Sequence, residues 1–228
     1  MTYILAFWPH PDDIDLGAGG TLYKTAQQGR SNIIIDLTPS QLSSNWNPKL
    51  RMQEAQVSAK ILWVPQRLNL ELEDLAIQDD THHRQIIAYQ IRKRKPEIVM
   101  LPNFSDRHPD HEASAKLIKS SIFIAWLAKI DISWLQPHRP RLALEYMIRD
   151  DFKPDLIIWL SQEEYAMKMK AYEQFHSQQE TNQRADNYIL GRSMKLGWEI
   201  GKTYGEWFRI VNGTIWLDNF DSVTTRAF

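Results

Sequence analysis

Short apolar runs alternate with longer amphipathic segments along the chain, and this alternation most constrains its fold. The apolar runs predict buried strands at residues 3–7, 32–37, 67–70, 98–101, 142–148 and 156–160, and a last strand or ordered tail at 206–211. The segments between them predict helices at residues 21–28, 51–62, 81–94, directly after 111, 163–175 and 185–197. Alternating strands and helices favour a mainly parallel sheet with right-handed crossovers. We therefore predict an α/β fold, a Rossmann-like three-layer sandwich.

The composition is that of an ordinary globular protein. The chain has 228 residues, of which 43% are hydrophobic and 24% charged, and we predict a single domain over residues 1–228. A formal net charge of −1 provides no field toward nucleic acid or membrane, so neither partner is expected. The lack of cysteine excludes disulfides, thiolate metal sites and a cysteine nucleophile. No apolar run reaches the roughly 20 residues of a membrane span and no signal peptide is evident, which predicts a cytoplasmic location.

The stretch FWPHPDDIDLGAGG at residues 7–20 places a histidine and three acids directly after the first strand. Such a cluster is self-repelling and costly to desolvate unless a cation offsets it. The carboxyl ends of strands are also where open α/β sheets bind ligands. A solvated loop that caps a helix is the alternative. The turn into the helix at 21–28 is assigned to three glycines, Gly17, Gly19 and Gly20.

A second polar loop, DRHPDH at residues 106–111, follows the apolar run at 98–101. Because parallel strands point their carboxyl ends the same way, we expect the two loops to converge. Imidazole and carboxylate ligands suit Zn²⁺, which can supply an activated water near neutral pH. A neighbouring carboxylate that does not bind the metal can accept the proton of that water. The adjacent Asp12 and Asp13 could divide these two roles.

Two other cofactors fit parts of the pattern. The order His10-x-Asp12 with a distant histidine is also typical of two-His, one-carboxylate iron sites, which usually lie on all-β double-sheet folds. The glycines suggest a dinucleotide site, but residues 17–20 do not complete G-x-G-x-x-G and acids precede them. Zinc is therefore favoured, although Fe²⁺ could occupy the same ligands in the cell.

The paired motifs HPDDIDLGAGGTL and RHPDH resemble those of the PIG-L/LmbE-like zinc N-deacetylases, which remove acetyl groups from N-acetylglucosamine conjugates. The segments DLTPSQLSSN, RMQEAQVSAKIL, HRP, KPDLIIWLS and KMKAYEQFHSQ resemble the bacillithiol-biosynthesis branch of that family, whose substrate is N-acetylglucosaminyl-L-malate. The resemblance covers about residues 4–208. It implies a small-molecule sugar conjugate as substrate, acetate and glucosaminyl-malate as products, and a homo-oligomer, a trimer or hexamer.

The resemblance also implies roles for individual residues. The zinc ligands would be His10, Asp13 and His111. Asp12 would be the general base, and His108, as imidazolium, would stabilise the oxyanion or protonate the leaving amine. Asp110 would orient an imidazole. The family usually has glutamate where this chain has Asp15, which keeps the charge.

Substrate contacts are assigned with alternatives. Arg51 and Arg107 would bind the malate carboxylates, because guanidinium groups match carboxylates bidentately. A helix-surface ion pair for Arg51 and a loop salt bridge for Arg107 are the alternatives. Tyr188 would donate its phenol to the oxyanion or only pack. His176 and the loop Ser43, Ser44 and Asn45 are either at the substrate rim or purely structural.

Two other functions remain open at this stage. One is a deacetylase of another N-acetylglucosamine conjugate, or an amidase of bacillithiol S-conjugates. The other is a metal-binding protein without catalysis, against which the intact Asp12 argues, because a pure binding site has no use for a base.

Overall fold

Seven strands in the part of the chain that the structure describes pair into one sheet. This computed structural model describes residues 2–43, 47–148, 152–179 and 183–213. The strands are β1 Ile4–Trp8, β2 Asn32–Asp36, β3 Gln66–Asn69, β4 Ile98–Leu101, β5 Leu142–Tyr146, β6 Leu156–Leu160 and β7 Tyr204–Gly213. The helices are α1 Asp13–Gln27, α2 Pro48–Ile61, α3 Thr81–Arg94, α4 Pro109–Trp126, α5 Gln162–Tyr172, α6 His176–Gln179 and α7 Gln183–Glu199.

The strand order is β3-β2-β1-β4-β5-β7-β6, which puts β1 at the point where the winding reverses. From β1 the chain proceeds outward to β2 and β3, and then returns to place β4 on the other side of β1. All pairs from β3 to β5 are parallel, whereas β7 runs antiparallel to both β5 and β6. Ligands in open α/β sheets bind at such a reversal, outside the carboxyl ends of the strands.

Successive side chains of the central strand bury against opposite layers of helices. Leu5 and Phe7 belong to a core shared with α3 and α4, while Ile4, Ala6 and Trp8 belong to a core shared with α1, α2 and α5. This follows from the period of two along a strand whose faces are both covered. The predicted three-layer α/β sandwich with a mainly parallel sheet is confirmed.

The predicted elements exist, but several helices begin earlier than expected, and for α1 and α4 this changes where the site residues lie. Helix α1 begins at Asp13 and not at residue 21, so the three glycines lie inside it and do not form its entry turn. Helix α4 begins at Pro109, capped by His108, so Asp110 and His111 lie in its first turn and not in a loop. Proline suits the first helical position, which the loop interpretation overlooked. The short α6 was not predicted.

Glycine is present at positions 17 and 20 of α1 because side chains of the strands approach the helix closely there. A Cβ on Gly17 would lie 2.4 Å from Cδ2 of Tyr146, and one on Gly20 would lie 2.3 Å from Cδ1 of Leu160. At Gly19 the nearest atom would be 3.5 Å away, which is ordinary contact. The glycines lower the intrinsic stability of the helix, but they allow it to pack directly against the sheet.

One buried arginine joins three elements beneath this helix. Arg67 of β3 donates to Asp36 at the end of β2, with Nε–Oδ2 2.8 Å, and to Asp15 of α1, with Nη1–Oδ2 3.0 Å. The Ser58 hydroxyl of α2 donates to Asp15 as well. All of these groups are buried. Asp15 therefore fixes the first turns of α1 and does not belong to the acid cluster of the first motif.

Among the helices that the structure describes, none has the length and apolar character needed to cross a bilayer.

Replacing Gly17 by alanine is expected to lower the free energy of unfolding by about 1–3 kcal/mol, because the new methyl group displaces the Tyr146 ring. Gly19→Ala in the same helix is the matched control, and it should be neutral or stabilising by up to about 1 kcal/mol. Urea denaturation of both variants measures this difference. Equal effects of the two substitutions would contradict the packing explanation.

Candidate metal centre and active-site cleft

The loop after β1 and the start of α4 bring three predicted residues together. One oxygen of Asp13, Oδ2, lies 3.5 Å from Nδ1 of His10 and 3.3 Å from Nε2 of His111. Asp13 and His111 are buried, and His10 is nearly so. Two imidazole nitrogens that converge on one carboxylate oxygen form the donor set that a divalent cation such as Zn²⁺ takes from proteins. The donor chemistry therefore fits a cation held by His10, Asp13 and His111.

A third imidazole, His108, lies beside this pair. Its ring centroid is 4.7 Å from those of both His10 and His111, and nitrogens of all three rings lie within 4.8 Å of one another. Nδ1 of His108 accepts the backbone N–H of Asp110 at 3.2 Å. In the neutral ring the proton is then on Nε2. Burial, reinforced by positive charge on His10 and His111, lowers the pKa of His108, which favours that neutral form.

Carboxylates stand behind both outer imidazoles. Nε2 of His10 lies 3.0 Å from Oδ1 of Asp74 and 3.3 Å from Oδ2 of Asp110, and Nδ1 of His111 lies 3.1 Å from Oδ2 of Asp106. Such partners fix the tautomer of a ligating histidine and direct its other nitrogen at the metal. Burial opposes protonation of His10, but its bonds to these carboxylates and to Asp13 outweigh burial and hold the pKa of His10 well above its usual value.

Two of these carboxylates were not assigned from the sequence. Asp74 lies in the loop after β3 and, besides His10, its Oδ2 accepts the backbone N–H of Leu42 at 3.1 Å. The rule that functional groups follow strand ends applies to β3 as well and could have identified Asp74. Asp106 stands inside the second motif, but only its neighbours received roles. Asp110, expected to orient an imidazole, contacts His10, and it also accepts the backbone N–H of Leu75 at 2.9 Å.

Asp12 has the most unusual backbone in the site. Its φ is 111°, at the residue that caps α1, and only glycine adopts this region readily. The Asp12 side chain lines the cleft, and its Oδ2 lies 3.7 Å from Nη1 of Arg51. Burial, and then the charge of Asp13, raises the pKa of Asp12 to about 8. The structure thus presents a basic carboxyl group at the cleft, next to the candidate ligand.

The site opens into a cleft of about 550 Å³. All three residues predicted to bind substrate line it, on three separate elements: Arg51 on α2, Arg107 in the loop after β4, and Tyr188 on α7. Arg51 is buried and also donates to the Pro11 carbonyl at 3.4 Å, so the alternative of a helix-surface ion pair is wrong. Arg107 is exposed, and Tyr188 is 48% exposed.

The other residues predicted to lie at the rim of the substrate site differ in where the structure places them. Ser43 lines the cleft, whereas Ser44 and Asn45 lie outside the described residues. His176 begins α6, and the neighbouring Ser177 donates its hydroxyl to Oε2 of Glu54 at 2.6 Å. That contact joins α6 to α2, which indicates a structural role for this segment.

Asp74→Asn is expected to weaken zinc binding by roughly 10- to 100-fold, because His10 loses a charged partner at Nε2. Glu73→Gln, an exposed acid in the same loop, is the matched control. Competition with a chromophoric chelator measures both affinities. Unchanged affinity in Asp74→Asn, or equal losses in the two variants, would contradict the assignment.

The chain is similar to known proteins in both sequence and fold. The chain is 26% identical to the diacetylchitobiose deacetylase of Thermococcus kodakarensis over 226 residues, 92% of this chain and 83% of the relative. A conserved protein of Thermus thermophilus superposes with a TM-score of 0.91 at 28% identity and full coverage of both chains. The N,N'-diacetylchitobiose deacetylase of Pyrococcus horikoshii, solved with an inhibitor, superposes with a TM-score of 0.83 at 25% identity, covering 92% of this chain and 84% of that one. The family model described as PIG-L, GlcNAc-PI de-N-acetylase, matches residues 5–122, just over half of the chain. The chain therefore belongs to the PIG-L family.

Proposed function

We propose that this protein is a metal-dependent N-deacetylase of an N-acetylglucosamine conjugate. The observation that carries the proposal is that the adjacent residues Asp13 and Asp12 face different partners. Asp13 Oδ2 contacts both His10 and His111, while Asp12 lines the cleft with a pKa raised to about 8. A cation site that served binding alone would not need a second carboxyl group, held on strained backbone and facing the cleft, beside its ligands.

The residues support hydrolysis of an acetamide. When bound between His10, Asp13 and His111, a divalent cation such as Zn²⁺ would polarise the acetamide carbonyl and activate a water. Asp12 accepts the proton as water adds to the carbonyl carbon. His108, whose Nδ1 accepts the Asp110 backbone N–H, donates a hydrogen bond from Nε2 to the oxyanion, and Asp12 delivers the proton that it took from water to the departing nitrogen. The C–N bond breaks, and acetate and a free amine result.

The neutral form of His108 changes its expected role. The resemblance implied an imidazolium, but burial and neighbouring positive charge lower the pKa of His108. A neutral imidazole with its proton on Nε2 still donates a hydrogen bond to an oxyanion. Giving that proton up to the departing nitrogen would leave an imidazolate, so we assign the proton transfer to Asp12, which returns the proton that it takes from water.

Two observations support the proposed substrate class: the substrates for which the relatives are named, and the arginine side chains that line the cleft. Relatives named above act on diacetylchitobiose, and the family model is named for GlcNAc-PI, so N-acetylglucosamine is their common feature. Arg51 and Arg107 add positive charge to the cleft of this chain. We propose N-acetylglucosaminyl-L-malate of bacillithiol biosynthesis as the substrate, because its malate supplies two carboxylates that suit guanidinium groups.

Asp12→Asn is expected to lower kcat for acetate release by about 10²–10⁴-fold while zinc affinity is retained, because the proton acceptor is lost and the ligands stay. Asp13→Asn should lose both zinc affinity and turnover. Acetate release from N-acetylglucosaminyl-L-malate, before and after chelation and zinc return, measures the first quantity. Turnover of Asp12→Asn within twofold of an active wild type would contradict Asp12 as the base, whereas a zinc-loaded wild type that binds the metal but releases no acetate would support the non-catalytic metal-binding alternative.

Arg107→Ala is expected to raise KM for N-acetylglucosaminyl-L-malate by about tenfold relative to free N-acetylglucosamine, because a charged hydrogen bond is lost. Arg107 is preferred to Arg51 for this test, since Arg51 lies next to the proposed base. Equal effects on both substrates would favour a different conjugate, including a bacillithiol S-conjugate. The homo-oligomer and the cytoplasmic location stay predictions.

A further inference from the structure

A second, shallow groove extends the cleft along α7. It encloses about 320 Å³. Its lining residues are Asn187, Tyr188, Gly191, Arg192 and Lys195. Tyr188 and Arg192 also line the main cleft, so the groove adjoins the cleft at these two side chains. A molecule whose acetamide lies at the candidate metal centre can therefore extend over α7.

Gly191 has no explanation in the packing of the described residues. It lies in the middle of α7, where glycine is less favourable than alanine by roughly 1 kcal/mol. A Cβ built there would meet no heavy atom within 4 Å. Gly197 of the same helix is different, because its Cβ would lie 2.4 Å from the backbone of Thr203 and Tyr204. Gly197 permits close packing, whereas Gly191 leaves open space in the wall of the groove.

The groove is positively charged at the side farther along α7. Among the five lining residues that the structure describes, two are cations, Arg192 and Lys195, and none is an acid. Arg192 donates to the carbonyl of Ile148, and its guanidinium lies 5.2 Å from the centre of the Tyr188 ring. These contacts hold Arg192 at the junction of cleft and groove. Lys195, one turn further along α7, is exposed.

We propose that the groove of Asn187, Tyr188, Gly191, Arg192 and Lys195 is the subsite for a carboxylate-bearing aglycone. This inference rests on the proposed function and extends it. The sugar lies in the main cleft, and the aglycone passes over the open space at Gly191. One of its carboxylates binds Arg192 and Lys195, while a second can bind Arg107 on the loop after β4. A dicarboxylate is thus recognised from two elements at once, which makes discrimination against a neutral aglycone stronger than either contact alone.

The test compares N-acetylglucosaminyl-L-malate with the methyl glycoside of N-acetylglucosamine, which has no carboxylate. Gly191→Leu fills the groove and Lys195→Ala removes its outer charge. For both variants we expect the ratio of kcat/KM for malate conjugate over methyl glycoside to fall by about tenfold, through KM. Lys195→Arg should restore most of that ratio. Met194→Ala, an exposed residue of α7 outside the groove, is the matched control and should leave the ratio unchanged.

Calorimetric titration with the malate conjugate separates this inference from the proposed function. If the wild type binds the conjugate without hydrolysing it, the deacetylase proposal fails, and weaker binding by Gly191→Leu and Lys195→Ala still supports the subsite. An unchanged substrate ratio with unchanged affinity in both variants overturns the subsite. Wild-type protein that neither binds nor hydrolyses the malate conjugate overturns both.

Discussion

The parallel pairing of β1 with β2 on one side and β4 on the other is the constraint on which the site depends. Because the chain reverses its winding there, the segments that leave β1 and β4 diverge toward opposite faces of the sheet. The opening between them is where His10, Asp13 and His111 converge. Residues nearly 100 positions apart meet through a strand pairing that is itself dictated by apolar side chains. The packing of the apolar strands therefore brings the two motifs together, and the motifs themselves supply the functional groups.

Charge balance around this opening is unusual for a protein interior. Four carboxyl groups contact the imidazoles of His10 and His111, namely those of Asp13, Asp74, Asp106 and Asp110, and the Asp12 carboxyl group lies beside them. Nη1 of Arg51 lies 3.7 Å from Oδ2 of Asp12 and offsets part of this negative charge. Protonation of His10 and His111, whose pKa values are raised by these acids, offsets part of the excess. A bound divalent cation would offset it without titrating either ring. The Arg67 cluster is different, because Asp15 and Asp36 already have their counter-ion, and it acts as a structural anchor.

The features that could be predicted from the sequence are those that depend on residues close together in the chain, chiefly the helices and strands. Periodicity identified the elements, and α3, β4 and β6 have the predicted bounds, 81–94, 98–101 and 156–160, because proline, polar residues and apolar runs mark their ends. The start of α1 was wrong because glycine is locally a poor helix former, and only the Tyr146 ring packed on Gly17 explains its presence in a helix. Asp74 was missed although it follows a strand end, because Glu71 and Glu73 lie in the same loop and the sequence does not choose among the three acids. Only the contacts of Asp74 with His10 and Leu42 single it out. The groove on α7 was invisible for the same reason, since open space cannot be read from residues adjacent in the chain.

The positive φ of Asp12 has a consequence for how this protein can change over time. The backbone at that position favours a residue without a Cβ, while the proposed chemistry requires a carboxyl group there. Glycine would relax the backbone and remove a costly buried acid, yet it would leave no group to accept a proton. Selection for stability and selection for catalytic activity therefore favour different residues at position 12. A homologue that is no longer selected for catalysis should lose Asp12 early and keep its metal ligands. The identity of the residue at this position should therefore distinguish catalytically active members of the family from inactive ones.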